Sequence, residues 1–362
     1  MRDIRTSIAM TVMILISVGI IMIYSSSGIY ALQELGDIAY FLNRHLFFLF
    51  FGVILMLVTM TVDYRNLREF AKPLLLAGLV LLVLVLIPGI GKESNGARRW
   101  FQVGPINFQP SEFMKMAVLL YVSDFLARKQ NKIRNFKEGF LPLMIMPGMS
   151  CVLIVKQPDL GNSVSIAVIV LILMFVAGAR LRHLGMIALA AVPVIYYLIV
   201  KAPYRLARIM AFLDPWEDSL GIGFQLTQSQ IALGSGGLLG VGLGKSVQKL
   251  FYLPAAHTDF ILSIIGEELG LIGTFAVIAL FIFLIWQGAR IAKRTTDDFG
   301  YFLATGIVAM IGLQAVVNIG VSIGALPTKG LPLPFVSYGG SALIFNMIAI
   351  GLLLNISRHQ DL

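Results

Sequence analysis

The stretch FYLPAAHTDFILSIIGEELG, residues 251–270, joins two chemistries. A polar, proline-containing lead-in, Leu253 to Thr258, runs into Asp259, and Asp259 opens an apolar run that continues to about residue 287. At about 1.5 Å of rise per residue, a helix of that length and character spans a bilayer. The carboxylate at the junction has two readings. It is a helix N-cap, a position Asp favours, or it is an acid/base group, fixed by the helix behind it and open to water through the loop before it. Ser263, Gly266 and Gly270 follow at helical spacing and give the run a narrow small-residue face that a neighbouring helix or lipid chain can approach. Glu267 and Glu268 lie deeper, and an internal partner is expected for one of them.

Working outward, the same apolar character recurs along the chain. Of 362 residues, 58% are hydrophobic and 13% charged, mean hydropathy is +0.86, and the runs repeatedly reach the roughly 17 to 25 residues of a membrane span. The pattern predicts an all-α polytopic membrane protein with about ten transmembrane helices, near 8–25, 46–62, 73–88, 111–127, 140–156, 160–177, 184–200, 259–287, 300–322 and 335–356. The first reads as an uncleaved signal anchor. Residues 1–362 form a single integral domain, interrupted by one large loop at about 201–258.

Orientation follows the Lys/Arg bias of short loops. One set contains Arg2, Arg5, Arg65, Arg68, Lys72, Arg128, Lys129, Lys132, Arg134, Lys137, Arg180, Arg182, Arg290, Lys293, Arg294 and Arg358. The alternate set holds only Arg44, Lys92, Arg98, Arg99 and Lys329. Both termini are therefore expected in the cytoplasm and the 201–258 loop, between helices seven and eight, outside. Insertion and anionic lipid account for most of the net charge of +9, so no nucleic-acid partner is implied. The single cysteine, Cys151, excludes an intrachain disulfide and reads as packing within an apolar run. No CxxC or HExxH pattern supports a transition-metal site.

Polar features accumulate on the expected outer side. Phe108-Gln109-Pro110-Ser111-Glu112-Phe113-Met114-Lys115 opens the fourth span with Pro110 at a first helical position and Glu112 and Lys115 one turn apart. Their charges read either as a helix-locking ion pair or as a functional pair. Before it, the loop 91–101 sets Arg98 and Arg99 beside Trp100 and Phe101; Arg suits bidentate phosphate recognition and Trp a membrane interface. Lys156-Gln157-Pro158-Asp159-Leu160-Gly161 is a tight hairpin with both signs of charge. The glycine-rich run 234–246 fails a Walker A pattern at Leu239 and reads as a flexible or re-entrant segment. The proline-rich connection 326–341 needs a protein-buried or wet setting at membrane depth. Together Arg98, Arg99, Lys115 and Lys156 with Glu112, Asp159 and Asp259 suggest an anionic, phosphate-bearing, partly lipidic ligand.

These same motifs carry a resemblance. GARRW at 96–100, FQPSEFMK at 108–115, QPDLG at 157–161, LFYLPAAHTDF at 250–260, IGEELG at 265–270 and GLPLPFVSYGGSA at 330–342 resemble the SEDS family of shape, elongation, division and sporulation proteins. Its members include FtsW, RodA and SpoVE, and the wording LPTKGLPLPFVSYGGS and QKLFYLP is nearest FtsW or SpoVE. Ala255 departs from it, standing where many members have Glu.

The resemblance implies a ten-helix peptidoglycan glycosyltransferase that joins lipid II units into glycan strands at the outer leaflet of the bacterial cytoplasmic membrane and releases undecaprenyl pyrophosphate. It implies a class B penicillin-binding transpeptidase as partner, within a divisome or elongasome, and a divalent cation, Mg or Mn. It assigns catalysis to Asp259, as base or metal ligand. Arg98, Arg99, Gln109, Glu112, Lys115, Lys156, Asp159, His257 and Thr258 become substrate-binding candidates. Residue chemistry agrees: forming a β-1,4 link from an α-linked pyrophosphate is an inversion, for which one carboxylate serves as base and preorganised cations receive the leaving group. Two other classes compete: a lipid II flippase, which should show repeated broken helices and polar groups from both faces, and a non-catalytic transpeptidase scaffold tolerant of change at Asp259.

Overall fold

The computed structural model describes residues 2–94, 96–104 and 106–359. Asn95, in the loop 91–101, lies outside them. Helices α1 (Arg2–Leu35), α2 (Tyr40–Thr61) and α3 (Leu67–Leu84) lead into strands β1 (Lys92–Ser94), β2 (Ala97–Val103) and β3 (Ile106–Phe108). There follow α4 (Pro110–Lys129), α5 (Leu141–Lys156), α6 (Leu160–Val176) and α7 (Leu181–Val200), then α8 (Pro203–Leu213) and α9 (Phe224–Ser235). The chain closes with α10 (Ile261–Arg294), α11 (Asp298–Ser322) and α12 (Gly340–His359).

All ten apolar segments expected from the sequence fall on helices. Among the described residues seven are long and apolar enough to cross a membrane: α1, α2, α5 with the π-turn before it, α7, α10, α11 and α12. Helix α6 is apolar but shorter. Helices α3 and α4 differ because they carry charge, and the buried carboxylates among it are paired. Asp124 of α4 is paired at 2.7 Å with both Arg68 of α3 and Arg128, while Glu112 and Lys115 pair at 2.8 Å one turn apart. Most of α4 is buried against its neighbours, so a polar helix occupies the centre of the bundle. Helix α7 is the opposite case, almost wholly exposed along its apolar length.

Two expectations change. The connection from α3 to α4, read from the sequence as a loop, holds an antiparallel three-stranded meander of β1, β2 and β3, pairing Glu93 with Arg98 and Phe101 with Phe108. The 201–258 loop contains the short helices α8 and α9.

Helix α10 is two segments rather than one. Its ladder breaks at Gly270, where φ is 67° and ψ −166°, backbone that a side chain disfavours. The glycine-rich run supplies the missing partners. Val241 and Gly242 donate to the carbonyls of Glu267 and Glu268 at 2.9 and 3.0 Å, and Leu271 donates to the carbonyl of Gly237 at 2.9 Å. Irregular backbone is tolerated at membrane depth only when protein satisfies it, and here two broken pieces satisfy each other. Ser229 of α9 also bonds Ser263 at 2.6 Å, so the small-residue face of α10 receives a helix.

Candidate active site

The α1–α2, α3–α4, α5–α6, α7–α10 and α11–α12 connections meet at one end of the bundle. There the β-meander, the 157–161 hairpin, the 251–260 loop and the proline-rich 326–339 connection surround a cavity of about 390 Å³, in the size range of ligand sites.

Asp259 lines this cavity, half-buried, two residues before α10 begins. The N-cap reading fails: the cap position is Phe260 and carries no side-chain cap bond. Backbone holds the residue instead. The amides of Thr258 and Asp259 both donate to the carbonyl of Ala255, at 3.0 and 3.1 Å, and Ala255 sits at φ 57°. Asn318 of α11 donates to the carbonyls of Asp259 and Leu331, both at 2.9 Å, tying the loop to the proline-rich connection. Gly330 stands beside the carboxylate, where an added Cβ would lie 3.5 Å from Oδ2. Desolvation pushes the Asp259 carboxyl up to about 6, and the positive charge of Arg208 opposes that rise.

Asp159, the second carboxylate of the cavity, is already engaged. It caps α6 through the amide of Asn162 at 3.1 Å and accepts from the side chains of Asn162 and Gln109 at 2.8 and 3.3 Å. Arg99 reaches the same wall, donating to the carbonyls of Gln157 and Pro158 at 2.9 and 2.6 Å. Thr258 lines the cavity beside Asp259.

The remaining sequence candidates lie elsewhere. Arg98 pairs with Glu93 across the β-meander at 2.9 Å, outside the cavity lining. Lys156 is exposed at the end of α5. Glu112 and Lys115 form the buried pair within α4 and do not line the cavity, the arrangement of a helix-locking ion pair. His257 turns into an aromatic cluster with Phe41, 4.4 Å between ring centres, and burial lowers its pKa to about 4, which leaves it uncharged at neutral pH.

In exchange the cavity gains Arg44, Lys92 and Tyr338. A second cavity of about 270 Å³ adjoins it and shares Arg99, Asp159 and Gly330; it adds Arg205, Arg208 and Lys329 against an apolar wall that includes Ile195 and Ile199 of α7. The available signal was the one that singled out Arg99: short loops on this side otherwise avoid positive charge, so each exception, Arg44, Lys92 and Lys329, deserved equal weight.

Residues 5–362 match the cell cycle protein family FtsW/RodA/SpoVE. The chain belongs to that family. It is 47% identical over 343 residues to the "Probable peptidoglycan glycosyltransferase FtsW" of Geobacter metallireducens, covering 94% of this chain and 91% of that one. It is 45% identical over 348 residues to the stage V sporulation protein E of Bacillus subtilis, covering 96% and 95%. In three dimensions it is similar to a chain of a peptidoglycan synthase complex that coordinates polymerization and crosslinking, with a TM-score of 0.79, 29% identity and coverage of 98% and 97%.

Proposed function

We propose that this FtsW/RodA/SpoVE-family protein is a peptidoglycan glycosyltransferase that polymerises lipid II at the outer face of the bacterial cytoplasmic membrane, with Asp259 as its catalytic residue. The observation that carries the site assignment is a contrast in one cavity. Among the described residues no hydrogen bond engages the Asp259 carboxylate, whereas Asp159 is saturated by amides. A carboxylate with a pKa near 6 is ionised at neutral pH and basic enough to take a proton from an acceptor hydroxyl. As the sugar oxygen attacks the anomeric carbon from the face opposite the pyrophosphate, the bond to the pyrophosphate breaks and its charge falls to Arg44, Lys92 and Arg99. Undecaprenyl pyrophosphate leaves.

The membrane orientation rests on charge. The end opposite the site carries most of the basic residues in short connections, which supports a cytoplasmic face there and an outward site. Basic groups and apolar α7 side chains in the adjoining cavity suit a substrate that is pyrophosphate at one end and lipid at the other. A class B penicillin-binding transpeptidase is the proposed partner, since the structural relative belongs to a complex joining polymerization to crosslinking. The cell would use it in division, cell-shape or sporulation wall synthesis.

The residues fit the Mg or Mn expected from the family. Among the described residues no group of three or more His, Cys, Asp or Glu could hold a metal alone, but Mg is commonly held by one or two carboxylates plus substrate phosphates, and Asp259 offers a free one. Such a cation would supply charge neutralisation for the pyrophosphate.

Strand formation from purified lipid II, with and without the transpeptidase, tests the reading. Wild type should yield polymer, while Asp259→Ala should lose at least about 100-fold with its fold intact. Polymer from Asp259→Ala at the wild-type rate would overturn the assignment, and a folded wild type that translocates lipid II without polymerising it would favour a flippase.

A further inference from the structure

A third cavity, about 470 Å³, meets the 390 Å³ cavity at the 254–258 turn. Ser26 and Tyr30 of α1 form one wall, and the 249–258 segment forms the rest. Thr258 lines both cavities, so the two chambers share the turn that presents Asp259.

Their chemistry differs. The Asp259 cavity carries three basic side chains. The third cavity has one, Lys249, and its charge is spent: the ammonium lies 2.8 Å from Glu268 and 3.1 Å from the Ser25 hydroxyl. The chamber is therefore close to neutral and a poor site for a pyrophosphate. Its walls instead offer aromatic faces beside polar groups. The rings of Tyr30 and Phe251 stand 5.9 Å apart, both well exposed, and the His257 ring lies 6.1 Å from Tyr30. Flat apolar faces beside hydroxyl and backbone groups match a pyranose ring, whose C–H face stacks while its hydroxyls bond.

We propose that this cavity is a saccharide subsite, taking neutral sugar rings beside the cavity that holds the pyrophosphate. The inference rests on the glycosyltransferase reading, and it gives the site two compartments, one for the charged leaving group and one for sugar.

The test uses the whole protein in detergent and a soluble, lipid-free probe, a β-1,4-linked N-acetylglucosamine oligosaccharide carrying a photoactivatable group. Labelled peptides should map to Tyr30 and residues 249–258, and probe affinity should fall about tenfold in Tyr30→Ala while Tyr30→Phe retains most of it. Thermal unfolding of both variants should match wild type. Labelling confined to β2 or the 330–342 segment, absence of labelling, or equal affinity in Tyr30→Ala would overturn the proposal. Failure of the lipid II assay with labelling intact would strike at the catalytic reading alone.

Discussion

Asp259 and the Glu267–Glu268 pair stand eight and nine residues apart on one stretch of chain, and their surroundings could hardly differ more. Glu268 is fully buried, bonded to Lys249 at 2.8 Å and to the Ser25 hydroxyl of α1 at 2.7 Å. Glu267 accepts from the Ser246 hydroxyl and, at 2.9 Å, from the Val247 amide. Both glutamates have spent their lone pairs fastening the 246–249 segment to α1 and α10. Asp259 has spent none. Saturated carboxylates build the frame, and an unsaturated one beside a cavity stays open to a ligand.

The largest expected effects separate these roles. Asp259→Ala should remove polymerisation without lowering the unfolding temperature, whereas Glu268→Ala strands the buried Lys249 ammonium and should cost about 3–5 kcal/mol of stability. Calorimetry or thermal unfolding in detergent checks this, and the double variant Glu268→Leu with Lys249→Met should recover much of the loss. A stable Glu268→Ala would break the comparison.

Smaller is the effect of the Asp259 charge on stability. Its folded pKa of about 6 exceeds the ordinary 3.8, so the folded state holds the proton more tightly and pays for ionisation. That cost is absent below about pH 4 and fully present above pH 6. Asp259→Asn should therefore unfold at higher temperature than wild type at pH 7.5, by about 2–4 °C per kcal/mol recovered, and match it at pH 4. Activity should titrate the other way, with kcat/KM of wild type falling as pH drops through 6.

The cavity cations make a finer pair. Arg99→Ala removes a cation lining the site and two bonds to the 157–158 carbonyls, and polymerisation should fall about tenfold or more, one bond to a charged group being worth roughly 1.5–3 kcal/mol. Arg98→Ala removes an exposed pair with Glu93, worth roughly 0–1 kcal/mol, and should leave the rate near wild type. Least of all, Ala255→Gly should relieve the left-handed backbone at φ 57°, a gain of up to about 1 kcal/mol offset in part by unfolded-state entropy.

Helical spans and the end of the bundle that holds the candidate cavity were legible because their signals are local: apolar length for one, charge where hydrocarbon forbids it for the other. Asp259 could be read from its place between loop and helix, although its freedom from any cap bond could not. What escaped the sequence was pairing. Glu112 and Lys115 read from spacing as either a helix-locking ion pair or a functional pair, and three dimensions choose the ion pair by burying it away from the cavity lining. Gly270 reads as part of a small-residue stripe, yet the backbone turns there, because its partners lie some thirty residues earlier, beyond the reach of helical periodicity. The β-meander was hidden for a related reason, its strands being too short for alternation to declare itself.

The stitch between 237–242 and 267–272 also sets an order of events during synthesis. The earlier strand of the stitch leaves the ribosome first, carrying amides and carbonyls that find no partner until the helix behind it has entered the bilayer. Until then water must satisfy them, so the 224–250 segment is expected to wait at the membrane surface and settle only after α10 is in place. Assembly of the cavity is thus expected late on that side, when α11 and the connection after it bring Asn318 and Tyr338 to the 251–260 loop.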